Sequence, residues 1–387
     1  MSPVGMSKML RQLLCVFSVS VCLLFCASLR AEEGVSVGEV RLGMVNAQSG
    51  PAAGLGRGVR AGVEAYFHKI NVAGGVHGRK LALSLRDDGY EPQNTARLSQ
   101  ELIDSGEVFA LLGFVGTPTS RAAMPGVLAA RVPYLFPFTG AKVLREPVHR
   151  WVFNVRASYF DEIEALVAGI TDDLGFQRVA LLMQDDSFGE TVKSGLAGAL
   201  YKRDLTVSAE QRFLRNSLEV GPALQALRAS QPQAIFFVGT YRQMAAAVRQ
   251  ARELDMPARF FSVSFVGTED FIAEAGAAGE GVYISQVVPS PHDASLPLVR
   301  EYQAAMGRVP RGYASLEGYI DAAVLVEALR RSGPQPTRAR LVEVLESLDV
   351  DLGGFRVAFA PGDHQGSDAV YLTRVEGGRA VPVQQMR

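Results

Sequence analysis

The sequence predicts an α/β protein made of two doubly wound lobes with largely parallel sheets. Short apolar runs typical of buried strands alternate with segments whose apolar residues recur every three to four positions, as in amphipathic helices. Two such series follow one another along the 387 residues, a length of about two domains. Successive βαβ units form parallel sheets covered by helices, so two series predict two lobes.

The first series begins at Val40. Apolar residues over 55–70 share one helical face, and Gly74-Gly75 predicts where that helix ends. A second helix is predicted over 94–105, with Asn94 as its N-cap. The predicted strands are VRLGMV (40–45), KLALSL (80–85), VFALLGF (108–114) and VPYLF (132–136).

The second series begins near residue 155. Its predicted strands are RVALLM (178–183), TVSAEQRF (206–213), AIFFVG (234–239) and RFFSV (259–263). Its predicted helices are 161–174, 189–203, 219–229 and 241–255. A tail then departs from the alternation, with helices at 295–306, 314–331 and 337–347 and β-like pieces at 353–360 and 369–383. Gly377-Gly378 between two alternating runs predicts a hairpin.

Residues 1–31 have the pattern of a secretory signal peptide. Lys8 and Arg11 precede an uncharged, mostly apolar run, and small residues stand near its end. Cleavage after Ala31 and cleavage after Ser28 are both compatible with the pattern, and an uncleaved anchor is the alternative. All three cysteines lie in this segment, so the exported chain would contain no disulfide and no cysteine nucleophile.

Composition excludes several classes of protein. The 39 basic and 40 acidic residues nearly balance, and without a basic block we expect no nucleic-acid partner. No later apolar stretch reaches about 18 residues, which excludes a polytopic membrane protein.

Catalytic and cofactor motifs are missing from the sequence. The five histidines form no close pair, and there is no Walker A or EF-hand loop. A G-x-S-x-G string at Gly34–Gly38 precedes the first strand, whereas a nucleophile elbow joins a strand to a helix. The glycine-rich loop at 49–58 lacks the Lys-Ser/Thr of a P-loop, although the helix start that follows it suits an anionic group. We therefore expect no enzyme activity, no cofactor and no metal.

Several strings in order along the chain resemble one family. They are INVAGGVHGRKLALSLRDDGYEPQNTARLSQELI (70–103), ALLGFVGTPTSRAAMP (110–125), VPYLFPFTGAKVLREP (132–147), VFNVRASYFDE (152–162), MQDDSFGETVKSGLAGAL (183–200) and TYRQMAAAVRQAREL (240–254). Together they resemble the type I periplasmic binding proteins of the leucine/isoleucine/valine-binding kind, the extracytoplasmic substrate-binding components of ABC importers. The resemblance covers almost all of 38–375.

The resemblance implies two Rossmann-like lobes joined by a three-crossing hinge. It places the crossings near residues 153, 286 and 366. Lobe 1 would comprise 36–153 and 286–366, and lobe 2 would comprise 154–285 and 367–387. Such a protein is expected to be periplasmic and monomeric, and to close on a small ligand for an inner-membrane permease.

The resemblance also implies which residues meet the ligand. A Ser/Thr-rich loop holds the ligand carboxylate in this family, and hydroxyls with free backbone N–H groups at a helix start suit an anion. The expected ligand-binding residues are Ser49, Gly116, Thr117, Phe138, Thr139, Gly140, Tyr159, Asp186, Phe188, Tyr241, Ser264 and Phe265.

One position departs from the family pattern. Leucine-binding relatives use an acid just after the strand at 259–263 to hold the ligand ammonium, but this chain has Ser264 and Phe265 there. A buried ammonium without an anionic partner is costly. Asp185, Asp186 or Glu317 could substitute, or the ligand could be a carboxylic acid without an ammonium, including an aromatic acid.

Arg156 has two interpretations in the sequence. It could bind an anion, or it could pair with Asp161 or Glu162, and we favour the ion pair.

The sequence leaves three functions to compare. A transport receptor needs no chemistry from the chain and agrees with the missing motifs. A ligand-sensing ectodomain of the same fold would need a membrane anchor or an output domain. An exported enzyme would need a catalytic motif.

Overall fold

The computed structural model describes residues 32–387, so the predicted signal peptide lies outside the described residues. The elements below all belong to one unit, Glu33–Arg387. Within residues 32–387 no helix is long and apolar enough to cross a membrane.

Lobe 1 is built on a five-stranded parallel sheet in the order β2-β1-β3-β4-β5. Its strands are β1 (Glu39–Asn46), β2 (Lys80–Asp87), β3 (Ala110–Leu112), β4 (Tyr134–Leu135) and β5 (Val152–Phe153). The strand order reverses between β1 and β3. The loops that leave the carboxyl ends of these two strands diverge and open a crevice, which is where ligands bind in open α/β sheets.

Lobe 2 repeats this topology in a seven-stranded sheet, β14-β13-β10-β9-β8-β6-β7. Its parallel strands are β6 (Val179–Gln184), β7 (Ala209–Phe213), β8 (Ala234–Val238), β9 (Arg259–Ser262) and β10 (Tyr283–Gln286). The antiparallel hairpin of β13 (Tyr371–Glu376) and β14 (Arg379–Pro382) adds to β10, as the Gly377-Gly378 signal predicts. Here the order reverses between β6 and β8, giving a second crevice.

Eleven α-helices within residues 32–387 cover the two sheets. In lobe 1 they are α1 (Ala53–Val72), α2 (Pro92–Asp104), α3 (Thr117–Ala130), α9 (Pro297–Met306), α10 (Tyr313–Ser332) and α11 (Arg338–Leu345). In lobe 2 they are α4 (Tyr159–Ala168), α5 (Ser187–Tyr201), α6 (Gly221–Arg228), α7 (Tyr241–Glu253) and α8 (Thr268–Ala275). Helix α10 packs along α1, which returns the chain to lobe 1 after β10. A short antiparallel pair, β11 (Asp349–Asp351) and β12 (Arg356–Ala358), follows α11.

The helix ends test two of the sequence signals. Helix α1 ends at Val72, and Gly74 and Gly75 follow with positive φ, so the glycine stop signal is confirmed. The prediction of Asn94 as an N-cap is wrong, because α2 already begins at Pro92 and its cap position is Glu91. Proline suits the first turn of a helix because its missing N–H would have no partner there. The Asn94 amide donates to the Asp88 carbonyl instead.

The chain passes between the sheets at three places. It leaves the five-stranded sheet after Phe153, returns to lobe 1 after Gln286, and enters the seven-stranded sheet again at Tyr371. The first and third of these passages run side by side, because Asn154 and Gln365 form a parallel bridge. Buried aliphatic and aromatic side chains hold each sheet to its helices, each contributing about 1.5–3 kcal/mol on full burial.

Candidate functional site

The N-terminus of α3 lies at the crevice of lobe 1. Gly116 occupies its cap position with φ 101°, and a Cβ there would lie 2.6 Å from Tyr90 Cε2 and 2.9 Å from Thr119 Oγ1. Only glycine fits this conformation and this space. The first N–H groups of a helix have no partner inside the helix, so this end attracts an anion.

Three buried hydroxyls form a hydrogen-bonded chain beside this helix end. Thr117 Oγ1 lies 2.8 Å from Thr139 Oγ1, and Thr139 Oγ1 lies 3.2 Å from the Tyr159 hydroxyl, to which it donates. Gly140 permits this approach, since a Cβ there would lie 2.5 Å from the Tyr159 nitrogen. A chain of three hydroxyls has three protons and two internal bonds, so one O–H remains for another acceptor. The structure thus brings together four of the predicted residues beside Gly116.

Tyr90 is a part of this region that the sequence analysis missed. Its side chain is fully buried, and its hydroxyl has no hydrogen-bond partner among residues 32–387. The Arg215 guanidinium lies 4.4 Å from the ring centroid. Burial raises the pKa of the Tyr90 phenol, so the hydroxyl stays a neutral donor. The signal in the sequence was the Asp-Asp-Gly turn at the end of β2, which sets Tyr90 at φ 64°.

Aromatic rings from both lobes fill the space next to the hydroxyl chain. Phe265 contacts Phe188 at 4.8 Å and Phe138 at 5.9 Å between ring centroids, and Phe188 contacts Tyr159 at 5.1 Å. Phe138 belongs to lobe 1, whereas the other three lie on the lobe 2 side of the first passage. These four predicted aromatic residues therefore meet between the lobes, and each is less than a tenth exposed.

Asp186 has a capping position in the structure. It is the N-cap of α5, where its carboxylate accepts N–H groups from Phe188 at 2.9 Å and Gly189 at 3.1 Å. It also pairs with Arg215 at 3.2 Å. Burial raises the pKa of this carboxyl although these hydrogen bonds lower it. Because these groups already occupy the Asp186 carboxylate, a ligand ammonium would have to compete with Arg215 and the helix N–H groups for it.

Ser49 and Tyr241 lie apart from the hydroxyl chain. Ser49 is exposed and its N–H donates to Asp87 Oδ1 at 3.2 Å. The Tyr241 hydroxyl accepts the Gly54 N–H at 3.3 Å, which connects the start of α7 in lobe 2 with the start of α1 in lobe 1. No hydrogen bond described for residues 32–387 links either of them to Thr117 or Thr139, so their contact with a ligand stays a prediction.

Arg156 forms an ion pair, but not with the predicted partner. Its Nε lies 3.3 Å from Glu317 Oε1 on α10, whereas Asp161 completes a capping box with Ser158 and takes no part. Glu162 accepts the Ser264 N–H and the Ser285 hydroxyl, each at 2.7 Å. The prediction of Asp161 or Glu162 as the partner is therefore wrong. It was based on closeness in sequence, whereas Glu317 lies on α10 and comes close to Arg156 only through tertiary packing.

Ser264 links the ion pair to a small cavity between the lobes. Its hydroxyl accepts a hydrogen bond from Arg156 Nη2. Together with Phe138 and Glu317 it lines a cavity of about 10 Å³ that also touches Gln286. That volume is close to the least that holds one water molecule. The polar lining shows that this end of the interlobe space is not purely apolar.

The described residues also bear on metal binding. Among residues 32–387 no group of three or more His, Asp or Glu side chains is placed to hold a metal ion.

Comparisons with known proteins agree on one class. The periplasmic binding protein family model matches residues 39–380. A solved "possible leucine/isoleucine/valine-binding protein" from Rhodopirellula baltica is 33% identical, has a TM-score of 0.85, and overlaps 92% of this chain and 98% of that one. A solved substrate-binding periplasmic protein from Ralstonia solanacearum is 32% identical, with a TM-score of 0.83 and coverage of 89% and 99%. A leucine-, isoleucine-, valine-, threonine- and alanine-binding protein from Pseudomonas aeruginosa is 22% identical over 305 residues, 78% of this chain and 81% of that protein.

Proposed function

This chain belongs to the periplasmic binding protein family, and on that premise we propose that it captures a small carboxylate-bearing ligand between its lobes and delivers it to an ABC permease. The ligand would be an amino acid or a related acid, including an aromatic acid. The observation that carries the proposal is the set of donors at the start of α3. Thr117, Thr139, Tyr159 and the helix N–H groups converge there beside the rings of both lobes.

These donors suit an anionic group better than a neutral one. A charge-assisted hydrogen bond contributes roughly 1.5–3 kcal/mol, more than a neutral bond, and the helix end adds a favourable dipole. The unpartnered Tyr90 hydroxyl lies near Gly116 and provides a further donor. The neighbouring rings provide an apolar surface for the rest of the ligand.

Burial of the site supports capture by closure. Thr117, Thr139 and Phe265 are at most 1% exposed, so a ligand reaches them only when the lobes separate. A ligand that contacts both lobes stabilises the closed arrangement over the open one. The receptor is expected in the periplasm, where the predicted signal peptide would deliver it and where the permease faces.

Isosteric removal of one hydroxyl tests the carboxylate site. Thr117→Val and Thr139→Val should each weaken binding of a carboxylate ligand by about tenfold or more, as expected for one lost charge-assisted bond. Isothermal titration calorimetry measures this with ligands found by a thermal-shift screen of amino acids, amides and aromatic acids.

A matched control is Thr191→Val, because that hydroxyl donates only to the Ser187 carbonyl within α5. The Thr191→Val variant should bind the ligand with the same affinity as the unmodified protein. Equal affinities for all the variants, or equal affinity for a ligand and its methyl ester, would exclude this carboxylate site.

A further inference from the structure

The environment of Arg156 bears on the group at the other end of the ligand. Arg156 follows β5 in the first passage between the lobes, and its side chain is 1% exposed. Removing a guanidinium from water is costly unless acceptors replace the water. The hydrogen-bond partners of this side chain therefore indicate which ligand group could lie next to it.

The guanidinium has fewer acceptors than donors. Nη2 donates to Ser264, Nε faces Glu317 at 3.3 Å outside hydrogen-bond geometry, and Nη1 has no hydrogen-bond partner among residues 32–387. The carbon of the guanidinium lies 4.4 Å from the centroid of the Phe138 ring. A five-donor group thus keeps unsatisfied N–H groups beside an aromatic ring that faces the interlobe space.

Buried side chains of both charges surround Arg156. Arg145 is buried beside it and donates to the Arg156 carbonyl at 2.9 Å. Glu317 and Asp321 on α10 are both buried, and burial raises the pKa of each carboxyl, in Asp321 well above its ordinary value. The unsatisfied N–H groups of Arg156 remain although acids surround it, because Glu317 lies outside hydrogen-bond geometry and neither Asp321 oxygen has a hydrogen-bond partner among residues 32–387.

The position of Ser264 places Arg156 next to the end of the site that is expected to hold the ligand ammonium in leucine-binding relatives. Ser264 stands where leucine-binding relatives are expected to have the acid for the ligand ammonium, and here its hydroxyl accepts from Arg156. Ser264 and Glu317 also line the cavity against Phe138. In this chain the side chain at that position is therefore hydrogen-bonded to a buried cation.

We infer that Arg156 determines the ligand class, so that the site takes an acid whose second polar group is a hydrogen-bond acceptor, such as an α-keto acid, rather than an α-amino acid. This inference rests on the proposed function. A carbonyl or carboxylate oxygen satisfies the free N–H groups, whereas an ammonium there meets a buried guanidinium. An ammonium that used Glu317 would share this carboxylate with Arg156, whose Nε lies 3.3 Å from Oε1.

Paired ligands that differ only at this group test the inference. We compare leucine with its α-keto acid, and phenylalanine with phenylpyruvate, by calorimetry on the exported protein. Each keto acid should bind at least about tenfold more tightly than its amino acid, which is the affinity ratio expected from one charge-assisted hydrogen bond. Arg156→Gln should remove this preference by weakening the keto acid, whereas Arg97→Gln, which breaks an exposed pair with Glu101, should not.

A second variant keeps the test decisive if Arg156→Gln does not fold. Ser264→Glu restores an acid and neutralises Arg156, so the preference should shift towards the amino acids. Tighter binding of the amino acids by the unmodified protein, or a preference unchanged in Ser264→Glu, would overturn the role of Arg156. If none of the four compounds binds, the inference fails, whereas the carboxylate-receptor function is tested separately by the wider thermal-shift screen and by Thr117→Val and Thr139→Val.

Discussion

At the scale of single residues, the binding region depends on conformations that few side chains adopt. Gly116 has φ 101° and Tyr90 has φ 64°, and the two are in contact. The glycine lets the tyrosine ring pack against the start of α3. A side chain at 116 would move Tyr90, Thr119 or the helix end, and each of these belongs to the region that we propose binds the anion.

Gly116→Ala should therefore lower both ligand affinity and the melting temperature. The backbone strain at positive φ costs of order 1 kcal/mol or more, and the contact with Tyr90 adds to it. The matched control is Gly198→Ala in the second half of α5, where no atom outside the adjacent residues and the helix's own backbone lies within 4 Å of the added Cβ. There alanine should raise stability by about 0.5–1 kcal/mol. Thermal unfolding of both variants checks this, and equal melting temperatures would contradict the role of Gly116.

The sequence predicted some of these residues and missed others for physical reasons. Thr117 and Thr139 were predicted from the family resemblance, and the structure places both in loops at the carboxyl edge of the sheet. Tyr90 was missed because the Asp-Asp-Gly signal predicts a turn but does not predict that the tyrosine after it has positive φ. The partner of Arg156 was missed because Glu317 is distant in sequence, and only tertiary packing brings α10 to it.

At the scale of elements, helix N-termini of lobe 1 meet polar groups of lobe 2. The Glu269 carboxylate at the start of α8 accepts the Tyr313 N–H at 3.1 Å, at the first residue of α10. The Tyr241 hydroxyl accepts from Gly54 at the start of α1. These contacts cross between lobes, and acceptors are favoured at helix N-termini by the free N–H groups and the dipole.

The Glu269 contact predicts a pH dependence. Burial raises the pKa of this carboxyl to about 7, from an ordinary value near 4.5. The closed protein then binds this proton more tightly than any form that exposes Glu269 to water. Its stability should therefore fall as the pH rises from about 5 to about 8.

Glu269→Gln should flatten this dependence, because the amide keeps an acceptor for Tyr313 without titrating. Melting temperatures between pH 5 and 8 measure the effect. Burial raises the pKa of Asp88 to about 6, and this residue contributes to the pH dependence of stability in both proteins. Some dependence of the melting temperature on pH should therefore remain in the Glu269→Gln variant. A slope identical in the two proteins would show that Glu269 does not titrate in this range.

The elements themselves were largely predictable from the sequence. The alternation of apolar runs with helical periodicity gave β6, β8 and α7 within a few residues, since buried parallel strands are continuously apolar. The short strands β4 and β5, of two residues each, were less predictable. Their lengths depend on neighbouring strands rather than on their own composition.

At the scale of the whole molecule, two crevices face one another. The order of both sheets reverses at equivalent places, between β1 and β3 in lobe 1 and between β6 and β8 in lobe 2. The loops from these points carry Gly116 and Thr117 on one side and Asp186, Phe188 and Tyr241 on the other. The repeated topology explains why residues from both lobes surround one buried site.

We propose that a carboxylate ligand closes the two lobes around itself. Residues 32–387 contain no cysteine, so labels can be placed at will. Arg57 and Arg242 are exposed and flank the Gly54–Tyr241 contact at the edge of the two lobes. The most direct measurement is the distance between spin labels on Arg57→Cys and Arg242→Cys, with and without saturating ligand. We expect a longer, broader distance distribution without ligand and a shorter, narrower one with it. An identical distribution in both conditions, for a ligand whose binding depends on Thr117, would contradict it.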